Sequence, residues 1–266
     1  MKVGLYASHF GKTPEQFPDI ESFIEYAYEL RLDVIDLRSD VGFHSHDTSY
    51  LMETKMRCLE RGLAIGYLAS GGHFTGTDAE LEAKLDTVRA DVRAAALLGA
   101  PMIRLFCGQP LEDPEVRARE IACFQRACDL AAEQGVAVGL QNHPSTGDDV
   151  LRILEQTGRR NFTFLLDTGQ WVGSPARNRG VPEPGHDIYR YMEQTAARAG
   201  HVRAKFYKVD SGAEEWLDYP RIFAILESAG YNGAVSVVFE GQDANACDDR
   251  EVFRLAAAQL RSLAST

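Results

Sequence analysis

Three basic side chains alternate along one short apolar segment in the last third of the chain. His201, Arg203 and Lys205 share one parity of this segment, and apolar residues share the other. In an extended strand, side chains two residues apart point to the same face. Basic side chains rarely fill a dry core, so this face is expected to look into a wet cavity with anionic or polar partners. The alternative is an exposed edge strand whose charges prevent aggregation.

The basic segment is the seventh of eight strand-like runs, which alternate with helix-like segments along the whole chain. The predicted strands are residues 3–7, 34–37, 64–68, 102–106, 136–141, 162–167, 202–207 and 234–239. Neither a linker nor a change of composition interrupts the series. The pattern predicts one closed (β/α)8 barrel, a TIM barrel, over residues 1–266. An open doubly wound sheet is the competing architecture, but no GxGxxG motif follows the first strand.

The composition narrows the class of partner. The net charge is -11, and no basic block offsets it, so we expect no nucleic acid or anionic membrane surface as a partner. The five cysteines form no CxxC pair, which predicts reduced thiols. The first residues read directly as a strand and no apolar run is long enough to span a bilayer. A cytoplasmic protein that acts on a small molecule is the expectation.

Local signals mark several helix ends. Thr13 and Thr77 begin capping patterns with Gln16 and Glu80 three residues later. Five glycines follow helical runs and are predicted to end them in the left-handed conformation: Gly62, Gly99, Gly135, Gly200 and Gly230.

In a barrel of this kind, the chemistry lies at the carboxyl ends of the strands and in the loops that follow them. Polar residues concentrate at these positions in the sequence, whereas the strand beginnings are apolar. The strand-end residues are Ser8, His9, Arg38, residues 71–73, Arg104, Cys107, Gly108, residues 141–143, residues 167–170, Arg203, Lys205, Asp210, Glu240 and Gly241.

Four of these strands and their ends resemble the xylose-isomerase-like barrels, which include the sugar phosphate isomerases and epimerases. The segments are GLQNH (139–143), FLLDTG (164–169), HVRAKF (201–206) and VSVVFEG (235–241). The resemblance covers essentially the whole chain and implies the (β/α)8 fold. It also implies a divalent ion held by a glutamate, an aspartate, a histidine and a second glutamate on four consecutive strands.

The corresponding residues here are Gln141, Asp167, Arg203 and Val238. An amide cannot take up a proton, a valine has no lone pair, and an arginine is a permanent cation without an acceptor. Hard cations need several oxygen ligands and net negative charge. We therefore predict a degenerate metal site, with no cofactor and the divalent metal absent or weakly bound.

Arg203 suggests a replacement for the ion. A guanidinium beside Asp167 would fill the same space and form a charge-assisted pair. Its remaining N–H groups would stabilise an enolate or alkoxide oxygen of a substrate. The alternative is a purely structural pair that fills an inactive site.

Two further residues complete the predicted catalytic set of His143, Asp167, Arg203 and Glu240. His143 is the best remaining proton carrier, because its charge changes near neutral pH; a merely hydrogen-bonding histidine is the alternative. Glu240 has the parity of Val238 and supplies either a displaced carboxylate or a partner for Lys205. A metal site rebuilt from His143, Asp167 and Glu240 is a third possibility.

The predicted substrate-binding residues are His73, Arg104, Gln141, Lys205 and Arg177. Arg104 would bind a carboxylate or hydroxyl groups, or would pair with a core acid. Arg177 lies in an unusually long loop, residues 171–186, that either closes over the barrel mouth or contacts a second subunit. A homo-oligomer therefore remains open. His44, Ser45, His46 and Asp47 look like metal ligands in isolation but are interpreted as surface or rim residues.

The sequence thus predicts an isomerase, epimerase or lyase that acts on a small sugar, keto-sugar or polyol. The reaction would be proton transfer next to a carbonyl, without the divalent metal. The alternative is a catalytically silent barrel that binds a ligand or serves as a partner subunit.

Overall fold

A computed structural model describes residues 1–7, 17–107 and 113–265. Strands and helices alternate throughout these residues. The strands are β1 (Lys2–Tyr6), β2 (Val34–Arg38), β3 (Ala64–Ala69), β4 (Met102–Phe106), β5 (Ala137–Gln141), β6 (Phe162–Asp167), β7 (Ala199–Phe206) and β8 (Ala234–Phe239). The helices are α1 (Ile20–Glu29), α2 (Thr48–Glu60), α3 (Asp78–Leu98), α4 (Pro114–Ala132), α5 (Gly147–Thr157), α6 (Ile188–Thr195), α7 (Tyr219–Ser228) and α8 (Asp249–Ala264). Two short 3₁₀ turns are Pro175–Asn178 and Ala196–Arg198.

The strands form a closed parallel barrel in sequence order, from β1 to β8. The ring closes where β1 pairs with β8, with Leu5 opposite Val237. The predicted (β/α)8 barrel is confirmed, and the open doubly wound sheet is not formed. Because β7 pairs with both β6 and β8, the basic strand is not an edge strand.

The barrel interior is filled by alternate strand residues that point away from the helices. Its apolar cluster consists of Tyr6, Tyr67, Ala69, Met102, Leu165 and Val238. A buried polar group lies in the same interior, where His201 Nε2 is 3.0 Å from Asp36 Oδ2 and 3.0 Å from Ser236 Oγ. The larger apolar core lies between the sheet and the surrounding helices.

The predicted helix ends are mostly correct. Thr77 forms the capping box with Glu80, and four of the five glycines have positive φ: Gly62 (68°), Gly99 (79°), Gly135 (68°) and Gly230 (72°). The prediction for Gly200 is wrong, because this residue is the second of β7, which begins at Ala199 by pairing with Phe164. A Cβ at Gly200 would lie 2.8 Å from Thr163 Oγ1, so close packing accounts for the glycine.

Some predictions fall outside the residues that the structure describes. These are the capping pattern of Thr13 and Gln16 and the strand-end residues Ser8, His9 and Gly108. In the part of the chain that is described, every helix is too short or too polar to cross a lipid bilayer.

Candidate functional site

A cavity of about 260 Å³ opens at the carboxyl end of the barrel. Its lining residues are Tyr6, Arg38, Asp40, Gly71, Arg104, Phe106, Gln141, His143, Gln170, Arg203, Lys205 and Glu240. Six of them belong to the set predicted from sequence. Asp167 is fully buried and lies directly behind Arg203, Lys205 and Gln141, all of which contact its carboxylate.

Arg203 lies beside Asp167, as the strand-end positions predicted. The β6–β7 register sets the two residues opposite each other, and Arg203 Nε donates to Asp167 Oδ2 at 2.9 Å. Arg203 Nη1 donates to the Tyr67 hydroxyl, and the guanidinium lies 4.1 Å from the centroid of the Tyr6 ring. Burial disfavours the charge, but Tyr67, Tyr6 and Asp167 together raise the pKa of Arg203. Arg203 is therefore a fixed cation.

Each oxygen of the Asp167 carboxylate accepts at least one hydrogen bond from the chain. Besides Arg203, the carboxylate accepts Gln141 Nε2 at 3.0 Å and the Gly169 backbone N–H at 3.0 Å. Lys205 Nζ lies 3.7 Å from Oδ2. Both oxygens thus face hydrogen-bond donors, where a metal-binding carboxylate would face a cation.

The four positions at which the family resemblance implies metal ligands do not fit a divalent ion. Val238 is buried in the apolar interior of the barrel, and Arg203 places positive charge next to Asp167. The side-chain carbonyl oxygen of Gln141 already accepts a hydrogen bond from Arg104. One carboxylate and one amide beside a guanidinium lack the oxygen ligands and negative charge that hard cations require.

The rebuilt metal site considered from sequence is not assembled. The ligand atoms of His143, Asp167 and Glu240 do not lie within 4.8 Å of one another, whereas those of Asp19, Glu21 and His44 do. None of the latter three residues lines the cavity, and His44 is exposed, which fits the interpretation of residues 44–47 as surface or rim. Within that segment, Asp47 caps helix α2.

Lys205 and Glu240 form an ion pair across β7 and the end of β8, which was one of the two uses predicted for Glu240. The second oxygen of Glu240 accepts Gln170 Nε2 at 3.1 Å. Lys205 is 1% exposed, whereas the Glu240 side chain is 31% exposed. The carboxylate of Glu240 is therefore held in place and yet reachable from the cavity.

Arg104 has neutral hydrogen-bond partners. Its Nη1 donates to Gln141 Oε1 at 3.0 Å, and its Nη2 donates to the Ser70 carbonyl at 3.2 Å. The guanidinium stacks 4.0 Å from the centroid of the Phe106 ring. The sequence alternative of a core acid as its partner is wrong: the partner is an amide.

Two histidines flank Phe106 at the mouth. The ring centroid of His143 lies 4.8 Å from that of Phe106, and burial lowers the pKa of His143, although Asp167 opposes the shift. An imidazole with a lowered pKa is neutral near pH 7 and can accept a proton. His73 lies behind, with its centroid 6.5 Å from that of His143, and it does not line the cavity.

Arg177 lies elsewhere. It is exposed on the first 3₁₀ turn and lines a separate cavity with Pro144, Ser174 and Glu183. Its contact with a substrate remains a prediction.

Sequence reasoning missed several lining residues. Tyr6 lines the cavity, and Tyr67 is a buried hydrogen-bond partner of Arg203. Both read as ordinary strand aromatics, and only their inward parity could have indicated a role. Asp40 lies just beyond β2, where it accepts Arg38 Nε at 2.9 Å and Nη2 at 2.6 Å. The pairing of an arginine with an acid two residues later is the signal that was available.

Comparison with known proteins agrees with this architecture. The chain matches the xylose isomerase-like TIM barrel model over residues 24–263 and belongs to that family. The fold is similar to that of D-psicose 3-epimerase from Clostridium cellulolyticum H10, with a TM-score of 0.78, 17% identity and 99% of each chain covered.

Two other solved structures show the same fold. One is an L-ribulose 3-epimerase, with a TM-score of 0.73, 17% identity, and 99% of this chain and 94% of that chain covered. The other is the IOLI protein with a bound zinc atom, with a TM-score of 0.77, 14% identity, and 100% and 98% covered. No curated protein sequence matches the chain.

Proposed function

We propose that the chain is an isomerase, epimerase or lyase that transfers a proton next to a carbonyl of a small sugar, keto-sugar or polyol, without a divalent metal. One observation carries the proposal: the Arg203 guanidinium, fixed by Asp167 and Tyr67, lines a cavity together with His143 and Glu240. The sugar epimerases that share the fold support the substrate class.

In this mechanism, Arg203 stabilises the oxyanion. Removal of a proton next to a carbonyl sends the electron pair to the carbonyl oxygen, which becomes an enolate. A guanidinium that is already oriented needs no reorganisation to bind that charge, and a fixed donor of this kind is effective in a partly dry cavity.

His143 and Glu240 carry the protons. Neutral His143 removes the carbon-bound proton and, as the imidazolium, returns it to the enolate. Glu240, ionised in its pair with Lys205, accepts and returns the proton of a substrate hydroxyl group. Lys205 keeps Glu240 oriented, while Gln141, Lys205 and Arg104 orient substrate hydroxyl groups. Asp167 holds Arg203 rather than the substrate, since its oxygens are occupied by the chain.

The test measures deuterium exchange from solvent into a panel of neutral ketoses and keto sugar acids by NMR, with the full chain treated with a chelator beforehand. We expect exchange that persists without added metal and falls in His143→Gln, but not in the surface control Arg126→Gln. Exchange that requires added manganese, cobalt or zinc would refute the metal-independent mechanism.

A silent binding barrel is the second candidate. It is favoured by the hydrogen bonds that engage both oxygens of Asp167 and by the ion pair that engages Glu240. Absence of exchange with every member of the panel, together with an effect of Arg203→Ala on stability or ligand affinity alone, would support it.

A further inference from the structure

The charges around the cavity do not balance. The lining cations are Arg38, Arg104, Arg203 and Lys205. Three of them have a carboxylate partner within the chain: Arg38 pairs with Asp40, Arg203 with Asp167, and Lys205 with Glu240. In the residues that the structure describes, Arg104 has no carboxylate within 4.0 Å, and Asp40 acts on it only from a longer distance.

Arg104 is nonetheless buried. Only 7% of its surface is exposed, and its Nε is a buried donor without a hydrogen-bond partner. The family resemblance implies a glutamate where this chain has Gln141. The amide oxygen of Gln141 accepts from Arg104 at 3.0 Å, and its Nε2 donates to Asp167. The Gln141 amide thus makes one hydrogen bond with Arg104 and one with Asp167, but it carries no charge that would neutralise the Arg104 guanidinium.

A buried guanidinium without a counter-ion is unfavourable in the free protein. Its fork of parallel N–H groups matches a carboxylate, which can accept two of them at once. The stack on Phe106 fixes the plane of the fork. The site is therefore built to hold a positive charge whose partner must come from outside the chain.

We propose that Arg104 binds the carboxylate of an acidic substrate, so that the ligand of this cavity is a sugar acid or keto acid and not a neutral sugar. This inference rests on the proposed function only in taking the cavity as the substrate site. The single uncompensated positive charge matches a carboxylate monoanion, whereas a phosphate ester carries about two negative charges near neutral pH. Burial, with repulsion from Arg203, lowers the pKa of Arg104 in the free chain, and a bound carboxylate would oppose that shift.

The first test compares ligands that differ in charge. Calorimetry on the full chain would measure binding of D-fructuronate, D-tagaturonate and D-gluconate, with D-fructose as the neutral match and a fructose phosphate as the second anion. We expect at least one acid to bind roughly tenfold or more tightly than D-fructose, because hydrogen bonds to charged groups are the stronger ones. Failure of all three acids to bind, equal binding of D-fructose, or tighter binding of the phosphate overturns the proposal.

The second test uses variants. Arg104→Met should abolish the preference for the acid and should leave the free protein as stable as the wild type, or more stable, because an unpaired buried charge is removed. If Arg104 only holds Ser70 and Gln141 in place, Arg104→Met should be less stable than the wild type. Acid binding should then be unchanged in Arg104→Lys. That pair of results counts against the proposal.

A third variant neutralises Arg104 without deleting it. Gln141→Glu keeps the shape of the side chain and places a carboxylate oxygen where the amide oxygen now lies 3.0 Å from Arg104. Its second oxygen replaces the Nε2 donor to Asp167, so denaturant unfolding of the same variant checks that the two adjacent carboxylates are accommodated. We expect acid affinity to fall roughly tenfold or more, while Arg126→Gln, a surface arginine paired with Glu82, leaves it unchanged. Acid affinity that is unaffected in Gln141→Glu contradicts the inference.

Binding and turnover separate the two proposals. If an acid binds but no proton exchange occurs with any ligand, the proposed reaction is wrong and the anion site stands. If exchange occurs with neutral ketoses and no acid binds, the reaction stands and the anion site is wrong.

Discussion

Arg203 lies between an acid, a phenol and an aromatic ring, and each contact restricts a different motion of its guanidinium. Asp167 fixes Nε, Tyr67 fixes Nη1, and the Tyr6 ring limits tilt. A cation held in this way keeps its charge and its direction together. Replacing Arg203 therefore tests two contributions of the Arg203–Asp167 pair together, one to the stability of the fold and one to catalysis.

Arg203→Gln should lower turnover by roughly 100- to 1000-fold, the usual cost of removing one oriented oxyanion donor. The same change leaves the buried Asp167 with only Lys205, 3.7 Å away, as a cationic partner, which should lower the free energy of unfolding by up to about 3–5 kcal/mol. Steady-state kinetics and denaturant unfolding measure the two effects. Unchanged turnover in a folded variant would mean that the pair is structural only.

His143 gives the reaction a predictable pH dependence. Burial disfavours its protonated form and lowers its pKa from the ordinary histidine value of about 6.5. The neutral base therefore persists to lower pH than in an exposed histidine, and kcat/KM should fall with acid only below about pH 6.5. His143→Gln should lose most activity and this acid limb. An acid limb that is unchanged in His143→Gln would assign the titration to another group.

At the scale of the elements, the carboxyl ends of β7 and β8 approach so closely that only glycine fits between them. A Cβ at Gly241 would lie 1.7 Å from the Tyr207 carbonyl oxygen. Glu240, the preceding residue, is thereby held next to Lys205. The position of one proton carrier thus depends on the packing of two strand ends.

Gly241→Ala should lower the free energy of unfolding by on the order of 3 kcal/mol, because backbone must move to admit the methyl group. Thermal and denaturant unfolding measure the loss. Gly71→Ala is the matched control for stability, since a Cβ there meets nothing within 4 Å. Equal stability of the two variants would show that the strand ends can separate without cost.

The elements themselves were largely predictable, since short apolar runs and glycine caps are local signals. Contacts between distant strands were not: Tyr67 and Arg203 are 136 residues apart. Gly200 shows a local ambiguity, because a glycine that ends a helix and one that makes room in a strand look alike in sequence. Arg177 shows another, since the path of a long loop depends on packing partners such as the fully buried Trp171.

At the scale of the whole molecule, the barrel closes on itself and its interior is filled by the chain's own side chains. Parallel pairing runs unbroken from β1 to β8. Strand order together with the family resemblance was enough to predict that Asp167 and Arg203 meet. The neutral partners of Arg104 were not predictable, because they depend on which rotamers the filled interior allows.

Since the four positions of the family ligand set do not fit a cation, the stability of the whole protein should not depend on metal. A ligand that binds only the folded state raises the melting temperature by mass action. We therefore expect the same Tm after chelation, in buffer, and with saturating manganese. A rise of several degrees with manganese, absent in Asp167→Asn, would show that the site does hold an ion.

The cation beside Asp167 is covalently part of the polypeptide. Every copy that folds acquires it in a fixed ratio of one per chain, whereas a site that recruits an ion must find it in its surroundings and can take up a tighter-binding competitor instead. Under the proposed metal-independent mechanism, maturation of this centre needs no delivery step. Shortage or excess of transition metals in the environment would leave newly made protein equally complete.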